Sequence, residues 1–554
     1  MFILRCPLGY GQASFDDRAR RRLGLRALSS TESSPAALGG RTARYTLGVL
    51  VLVYVFNFLD RQIISILAER IKADLGVSDA QIGFLYGTAF AVFYAVFGIP
   101  LARLADVWDR RKLIALGLAA WSAMTALSGL ARNFGELAAA RFGVGIGEAS
   151  ASPAAFSLLS DSFPPRQRAT VLAIYSSGIY IGAGLGIGIG GWIVQSWDHA
   201  FAGAGPFGLR GWQAAFFIVG LPGLALSAWV ATLREPQRGG ADGIFCAPER
   251  RPFREFFLEL RAVLPPLTLF HLVAVGAGGR AVARNVAAAL GIALAAAVAT
   301  AITGTPAQWV ALGIGVYSAF SWAQALGCRD PVAFALIFRS PALRWSGLTF
   351  SCLAFLGYAI GFWTPSFFVR FHHVAEREAG VVLGSIAAVG GWLGITLGGV
   401  LADRWRRVSP CGRLYVGVLT ALLPVPILWI MLTTTNTTLA YALTFPSSVC
   451  SSMWIGPGAS TVQDLVLPRM RGAATAAYLL LVTFIGLALG PYAIGFLSVV
   501  FGDLRRAMLW ALGINVVALA CAALATRHLE RDESTRLDRA RAAGEILETV
   551  SASA

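Results

Sequence analysis

The stretch "RLADVWDRRK" (residues 103–112) returns 297 residues later as "VLADRWRRVS" (residues 400–409). A second pair of stretches repeats at nearly the same spacing, 303 residues: "DSFPPRQRAT" (161–170) matches "DLVLPRMRGA" (464–473). Two independent matches at one spacing are typical of a duplicated unit. The chain is therefore predicted to hold two copies of one unit, joined by a linker.

The sequence around these repeats is strongly apolar. Of the 554 residues, 56% are hydrophobic and 14% are charged, and the mean hydropathy is +0.65. Soluble domains usually carry about 25% charged residues. Apolar runs of about 20 residues, the length that crosses a bilayer as a helix, recur from residue 44 to residue 529. The pattern predicts an all-helical polytopic membrane protein and argues against a large soluble protein with buried helices.

The apolar runs form two sets of six, with two further runs between them. The predicted spans of the two sets are 44–68, 80–104, 113–132, 135–160, 169–197 and 212–233, then 344–369, 379–402, 414–433, 438–466, 472–501 and 507–526. The runs 285–304 and 309–326 bring the total to fourteen. An insertion between two copies leaves each copy intact, so these two runs are expected to form a helical hairpin outside both six-helix bundles.

Five regions follow from this division. They are a disordered extension (1–43), a first bundle (44–234), a linker holding the hairpin (235–342), a second bundle (343–527) and a tail (528–554). The extension is rich in arginine and lacks the apolar core of a signal peptide. It is expected to be cytoplasmic.

The distribution of positive charge predicts the orientation. With both termini on one side, the segments on that side carry 36 lysines and arginines, the opposite loops carry 8 and the spans carry 2. Cytoplasmic segments concentrate such residues, so both termini are expected in the cytoplasm, with the chain in a bacterial inner (plasma) membrane. The net charge of +16 is spread over short loops, so no nucleic-acid partner is expected.

Charged residues within two predicted spans mark a candidate site. Asn57, Asp60 and Arg61 share one face of the first helix, and Arg141 and Glu148 lie two turns apart on the fourth. Each ionised residue at membrane depth costs about 2.5–3.5 kcal/mol, so a chain with no use for these groups would do better with leucine. The pattern predicts that something charged or protonatable is handled there. A static ion-pair cluster that only fixes helix packing is the alternative interpretation.

The repeated loops resemble the major facilitator superfamily. The stretch "ARLADVWDRR" follows that superfamily's Gly-x-x-x-Asp-x-x-Gly-Arg-Arg pattern, with Ala102 and Asp109 in place of the two glycines. Within the superfamily, "NFLDRQIISIL", "RFGVGIGEASASPAAFSLLSDSFPPRQRATVLAIYSSGIYIGAGLG" and "GFWTPSFFVR" resemble the spinster family. The resemblance implies a transporter of two six-helix bundles. It also implies that Asp60 and Glu148 take part in proton coupling, with Arg141 tuning them or meeting the substrate.

Two further sets of residues are predicted to serve transport. A cytoplasmic gate is assigned to Asp106, Arg110, Arg111, Asp403 and Arg407. A wall for the substrate in the second half is assigned to Tyr358, Trp363, Trp392 and Trp454. The alternatives are solvated loop charges for the first set and interfacial aromatic belts for the second.

The leading hypothesis is a secondary active transporter of a lysolipid or sphingoid-type molecule, coupled to protons and acting by alternating access. Small organic anions, sugars or drugs are alternative substrates, and a non-transporting membrane receptor is a further alternative.

An ATP-driven pump is excluded because its phosphate-binding loop requires a lysine that follows a glycine, and neither Lys72 nor Lys112 does so. A hydrolase is not expected, since neither HExxH nor GxSxG occurs. We expect no enzyme activity, cofactor or metal, and a monomer whose partners are membrane lipids, protons and a small amphiphilic or anionic substrate.

Overall fold

The computed structural model describes residues 38–201, 205–242 and 251–545, and none of these residues lies in a strand. The predicted extension lies outside the described residues up to position 37, as does the tail beyond position 545. The first bundle comprises α1 (Arg41–Leu75), α2 (Asp79–Val107), α3 (Arg110–Ser128), α4 (Phe134–Glu148), α5 (Ala151–Ser162), α6 (Pro165–Ala200) and α7 (Gly211–Ala231).

The linker and the second bundle follow in chain order. The linker contains α8 (Pro252–Val263), α9 (Leu267–Ala274), α10 (Gly279–Thr303), α11 (Pro306–Arg329) and α12 (Pro331–Phe338). The second bundle contains α13 (Pro341–Phe371), α14 (Glu376–Arg406), α15 (Gly412–Thr433), α16 (Thr437–Ser452), α17 (Ile455–Asp464), α18 (Pro468–Phe501) and α19 (Leu504–Ser534), and a tail helix α20 (Arg536–Ala542) ends the described chain.

Eleven of the fourteen predicted spans are helices long and apolar enough to cross a membrane; the bent pair of α8 and α9, which was not among the predicted spans, would add a twelfth candidate. The other three predicted spans are also helical, but they are more charged or are broken. Helix α3 begins with three basic residues. The fourth span of the first set breaks between α4 and α5, and the fourth span of the second set breaks between α16 and α17. The two breaks occupy corresponding places in the two halves, which supports the predicted duplication.

Side-chain caps fix where several of these helices begin. Asp109, which stands where the superfamily pattern has its second glycine, accepts a hydrogen bond from the backbone N–H of Lys112 at the start of α3. Asn133 and Asn436 cap α4 and α16 in the same way. Each cap satisfies a backbone donor that the helix leaves free. The short polar loops thus fix where each helix enters its bundle.

Two faces of the molecule are used below as reference points. The terminal face is the one where α1 begins and α19 ends, and the distal face is the opposite one, where α1 ends and α2 begins. Helices α6 and α14 cross closely in the distal half, where Gly184 faces Gly384. A side chain at either position would overlap the other's backbone oxygen. These glycines therefore allow the two bundles to touch backbone to backbone.

The predicted hairpin is confirmed. Helices α10 and α11 pack against each other, and α11 lies on the outside of the bundles against α2 and α18. The Thr88 hydroxyl of α2 lies 2.7 Å from Gln308 Oε1 of α11 and 2.8 Å from the Ala488 carbonyl oxygen of α18. The most apolar part of α10 is entirely unburied. The hairpin therefore covers the seam between α2 and α18 and exposes its outer helix.

A polar cluster holds the two hairpin helices together. The amide nitrogen of Asn285 donates to Gln324 Oε1 at 2.8 Å and to Ser321 Oγ at 3.3 Å, and the Tyr317 hydroxyl donates to Asn285 Oδ1 at 2.6 Å. Gln324 also donates to the Ala281 carbonyl oxygen at 2.7 Å. Asn285 is fully buried. The hairpin thus has a specific polar lock in an otherwise apolar contact.

Replacing Asn285 with leucine is expected to lower the free energy of unfolding by about 1–2 kcal/mol, since hydrogen bonds between membrane helices contribute about that much. The reason is that Tyr317 and Ser321 lose their partner. The measurement is the thermal unfolding of the purified chain in detergent. The control is Ser318→Ala, because the Ser318 hydroxyl is buried on the helix that carries Tyr317 and Ser321 and has no hydrogen-bond partner among the described residues. Equal melting temperatures for the two variants would contradict a stabilising role for the hydrogen bonds of Asn285.

Candidate functional site

The five residues of the predicted site, four of them charged, lie together where α1 contacts α4. Arg61 donates to Glu148 Oε2 at 2.6 Å. Asp60, Arg141 and Glu148 are each at most 1% exposed. Asn57 is buried on the face of α1 that Glu148 approaches. The sequence spacing alone placed these residues on two helix faces, and packing brings the two faces together.

Aromatic rings surround the guanidinium of Arg61. Its central carbon lies 4.3 Å from the ring centre of Phe90, 4.6 Å from that of Phe58 and 5.3 Å from that of Tyr94. A cation over aromatic faces gains electrostatic stabilisation, and more so away from water. Glu148 and the rings together therefore hold Arg61 at membrane depth.

Asp60 has a different environment from Glu148. Its two carboxyl oxygens have no hydrogen-bond partner among the described residues. Trp121 and Thr125 of α3 stand beside it, and Arg141 is close enough to act on it electrostatically. Both terminal nitrogens of Arg141 also lack a hydrogen-bond partner in the described part of the chain. A buried polar group without a partner costs free energy, so the Asp60 carboxyl group and the end of the Arg141 side chain are the groups of the cluster that gain most from a new partner.

Sequence reasoning missed the residues that α2 and α3 contribute. Tyr86, Phe90 and Tyr94 recur every four residues along α2, a spacing that puts three rings on one face. This four-residue spacing of aromatic residues is the feature of the sequence that could have identified them. Trp121 and Thr125 show the same four-residue spacing on α3, but only the packing of α3 against α1 reveals what they face.

The predicted aromatic wall is only partly assembled at the site. Tyr358 is close enough to Arg61 to act on it electrostatically, across the space between the halves. Trp454 is buried, with its indole nitrogen beside Gly357. Trp363 is fully buried towards the distal face and donates to the Pro491 carbonyl oxygen at 2.8 Å.

Trp392 is not part of this wall, which corrects the prediction. Its side chain is 52% exposed and shares one face of α14 with Val381 and Val389, which are also exposed. That face stays exposed into the distal half, where the bundles are in contact. It therefore points away from the interior, and Trp392 belongs to the outer surface of the second bundle.

Two basic residues of the predicted gate, Arg110 and Arg111, bind partners within the first half. Arg110 is fully buried and donates to Asp161 at 2.5 Å and to Glu235 at 2.7 Å. Arg111 donates to the Leu233 carbonyl oxygen at 2.7 Å. In the second half, Arg413 pairs with Asp464, and both pairs span 51 residues. Arg413, which the sequence alignment did not select, is therefore the structural counterpart of Arg110.

The remaining gate residues are exposed on the terminal face. Asp106, Asp403 and Arg407 each have exposed side chains. Within the described ranges, no hydrogen bond or ion pair joins the two halves on this face. These residues are therefore available to partners that approach from the other half.

The distal face is closed by charged residues from both halves. Arg370 of α13 donates to Glu69 and to Asp79, each at 2.7 Å. Arg70 of α1 donates to Glu376 of α14 at 2.9 Å. Because these pairs cross between the bundles, they seal the described conformation at the distal face, whereas no such pair among the described residues closes the terminal face.

Comparison with known proteins supports the fold and identifies the family. Residues 50–491 match the pattern of the Major Facilitator Superfamily. An "MFS-type efflux pump" of Mycolicibacterium smegmatis is 27% identical, covering 89% of this chain and 95% of its own length. Protein spinster of Drosophila melanogaster is 24% identical over 83% of this chain and 62% of its own length. The crystal structure of a bacterial homologue of the human lysosomal transporter spinster, in an inward-facing and unoccupied conformation, superposes with a TM-score of 0.67 at 25% identity, covering 89% of this chain and 98% of that one.

Proposed function

Because this chain belongs to the Major Facilitator Superfamily and is a membrane transporter of that family, we propose that it moves an amphiphilic, lipid-like molecule of the lysolipid or sphingoid type, with coupling to protons. In this proposal the terminal face is cytoplasmic and the described conformation is open inward. The excess of arginine on the terminal side supports that orientation.

The asymmetry of the two halves supports an amphiphilic substrate. The charged cluster lies entirely in the first bundle. The second bundle presents aromatic side chains such as Tyr358, Trp454 and Tyr478, and the buried Tyr478 hydroxyl has no hydrogen-bond partner among the described residues. A charged head group would lie against Arg141 and an apolar body against these rings. A wholly polar substrate would have no use for the second wall.

The single observation that carries proton coupling is the buried Asp60 carboxyl group without a hydrogen-bond partner beside Arg141. Burial disfavours a charged carboxylate, whereas a neighbouring guanidinium and contact with water favour it. Opening to either side changes the hydration of the site. Asp60 is therefore proposed to bind a proton when the site is dry and to release it when water enters.

Charge balance links the proton to the substrate. With Asp60 protonated, the cluster holds two arginines and one carboxylate, so it attracts an anionic head group to Arg141. With Asp60 ionised, the four charges balance and Asp60 competes with the substrate for Arg141. Proton and anionic head group are thus expected to bind together, while Arg61 stays paired with Glu148.

The experiment that tests the function is uptake into vesicles that contain the purified chain. Fluorescent lysolipid is supplied with and without a pH gradient. We expect gradient-dependent accumulation and a change in internal pH that matches it. Equal uptake in the presence and absence of the gradient would contradict proton coupling, and lack of uptake for every amphiphile would contradict the substrate class.

Export of small organic molecules is the second candidate function. It is favoured by the similarity to the M. smegmatis protein, whose name describes an efflux pump and whose length is 95% covered. Drug susceptibility of cells that overproduce the chain separates the two candidates. Resistance to small drugs without any lysolipid uptake would favour export.

The exposed aspartates of the terminal face provide a further prediction. Asp106→Asn and Asp403→Asn are expected to shift the population towards the inward-open state, because each removes a charge that is proposed to pair when this face closes. An exposed ion pair contributes about 0.2–1 kcal/mol, so the population should change by at most about fivefold. Labelling of introduced cysteines from each side measures the shift. Unchanged labelling in both variants would mean that these carboxylates are solvated loop charges.

A further inference from the structure

The linker presents a basic and aromatic surface outside the transport site. We define the linker arginine face as Arg254 and Arg261 of α8 and Arg280 and Arg284 of α10, all of them exposed. Phe253, Phe257 and Phe270 stand among them and are 49%, 56% and 62% exposed. Exposed rings beside arginines are typical of helices that lie in a membrane interface.

The charges of α8 are sorted between its two sides. Its two glutamates point inward: Glu255 accepts from Arg103 of α2 at 3.1 Å, and Glu259 pairs with Arg329 of α11. The rings of Phe253 and Trp108 lie 5.2 Å apart, which also fixes α8 against α2. Arg254 and Arg261 are left on the outer side without a carboxylate partner in the described chain. The outer side is therefore purely basic.

The first turns of α10 carry two more exposed arginines. Arg280 and Arg284 lie one turn apart, and Leu290 and Leu294, which follow on α10, are each 66% exposed on its apolar surface. An open cleft of about 540 Å³ lies between the end of α9 and the start of α10. Its lining is apolar: Val273, Gly276, Gly278, Gly279, Val282 and Ala283.

We propose that the linker arginine face binds anionic phospholipids of the membrane leaflet at the terminal face. The arginines meet the phosphate groups, since a guanidinium matches a phosphate with paired hydrogen bonds. The cleft receives the glycerol end and the first carbons of an acyl chain. Zwitterionic lipids offer the same apolar contacts without the net charge, so the face selects for anionic lipids. This interaction is independent of the transported substrate.

The test measures lipid binding to the whole purified chain in neutral detergent, by native mass spectrometry and thermal shift. We expect phosphatidylglycerol to bind and stabilise the chain more than phosphatidylcholine does. Replacing Arg254 and Arg261 with glutamine, and separately Arg280 and Arg284, should weaken binding about fivefold for each arginine removed. The matched control is Arg377→Gln with Arg506→Gln, two arginines of the distal face.

Each possible outcome decides the proposal. Selective loss in the linker variants, with distal-face variants and protein helicity unchanged, supports it. Equal binding of phosphatidylglycerol by linker variants and the unaltered chain overturns it. Competition by inorganic phosphate at the same concentration as the lipid would show a free-anion site, and preferential binding of heparin would indicate an acidic macromolecule instead. Because lipid binding is measured without transport, failure here leaves the proposed transport function untouched.

Discussion

Vesicles that contain Asp60→Asn or Glu148→Gln are expected to show no gradient-driven uptake above that of empty vesicles. Each amide keeps the shape of the carboxyl group but cannot ionise. Asp60→Asn removes the proposed proton carrier itself. Glu148→Gln removes the carboxylate that accepts a hydrogen bond from Arg61 at 2.6 Å. The measurement is uptake against pH, normalised to the amount of folded protein.

Arg141→Ala provides the contrast. It removes the proposed anchor for the head group and the guanidinium that acts electrostatically on the buried Asp60. Substrate binding should therefore fall further in Arg141→Ala than in Asp60→Asn. A static ion-pair cluster predicts another pattern, in which all variants lose folded protein together. Normal pH dependence in well-folded Asp60→Asn would defeat the proton assignment.

A single side chain at Gly384 is expected to stop transport by a different route. In Gly384→Val the added carbons would overlap the backbone oxygen of Gly184 on the facing helix. Backbone atoms cannot move aside as a flexible side chain can, so α6 and α14 must separate at the distal face. The chain should then accumulate in conformations open at that face. Distances between spin labels at the distal ends of α1 and α13 should lengthen.

Gly188→Ala is the matched control because Gly188 lies on α6, one turn from Gly184, and also faces α14. A methyl group there would be 3.6 Å from the Gly380 carbonyl oxygen, an ordinary contact distance. It is expected to leave both the label distances and the uptake unchanged. If the distal face of the Gly384→Val variant closes as it does in the unaltered chain, then close packing of the glycines is not required for closure.

The duplicated architecture was predictable because it depends on pattern. Apolar runs, repeated loops and the excess of arginine on one side each leave a signal in the sequence. The charged cluster was predictable for the same reason, since ionised residues in apolar runs are rare and costly. The residues that α2 and α3 add to it were not, because tyrosine, phenylalanine and threonine are ordinary constituents of membrane helices.

Two other assignments needed the structure. A tryptophan in a membrane helix suits the interior and the outer belt equally well, so only the exposed face of α14 shows where Trp392 points. Alignment of the two repeated loops paired Arg110 with Arg407. The structure selects Arg413 because the loop there is longer, and the partner, Asp464, keeps the spacing that Asp161 has from Arg110.

The hairpin over α2 and α18 breaks the symmetry that the duplication would otherwise impose. Gln308 is linked to both halves through Thr88, and the Thr305 hydroxyl lies 2.6 Å from that of Tyr492. Among the described elements, only α6 and α14 themselves form the opposite seam. One seam is therefore covered by a third element that is linked to both halves, whereas α6 and α14 close the other seam by direct contact without a third element. Rocking of the halves should pivot about the seam that the hairpin covers, with the larger displacement at α6 and α14.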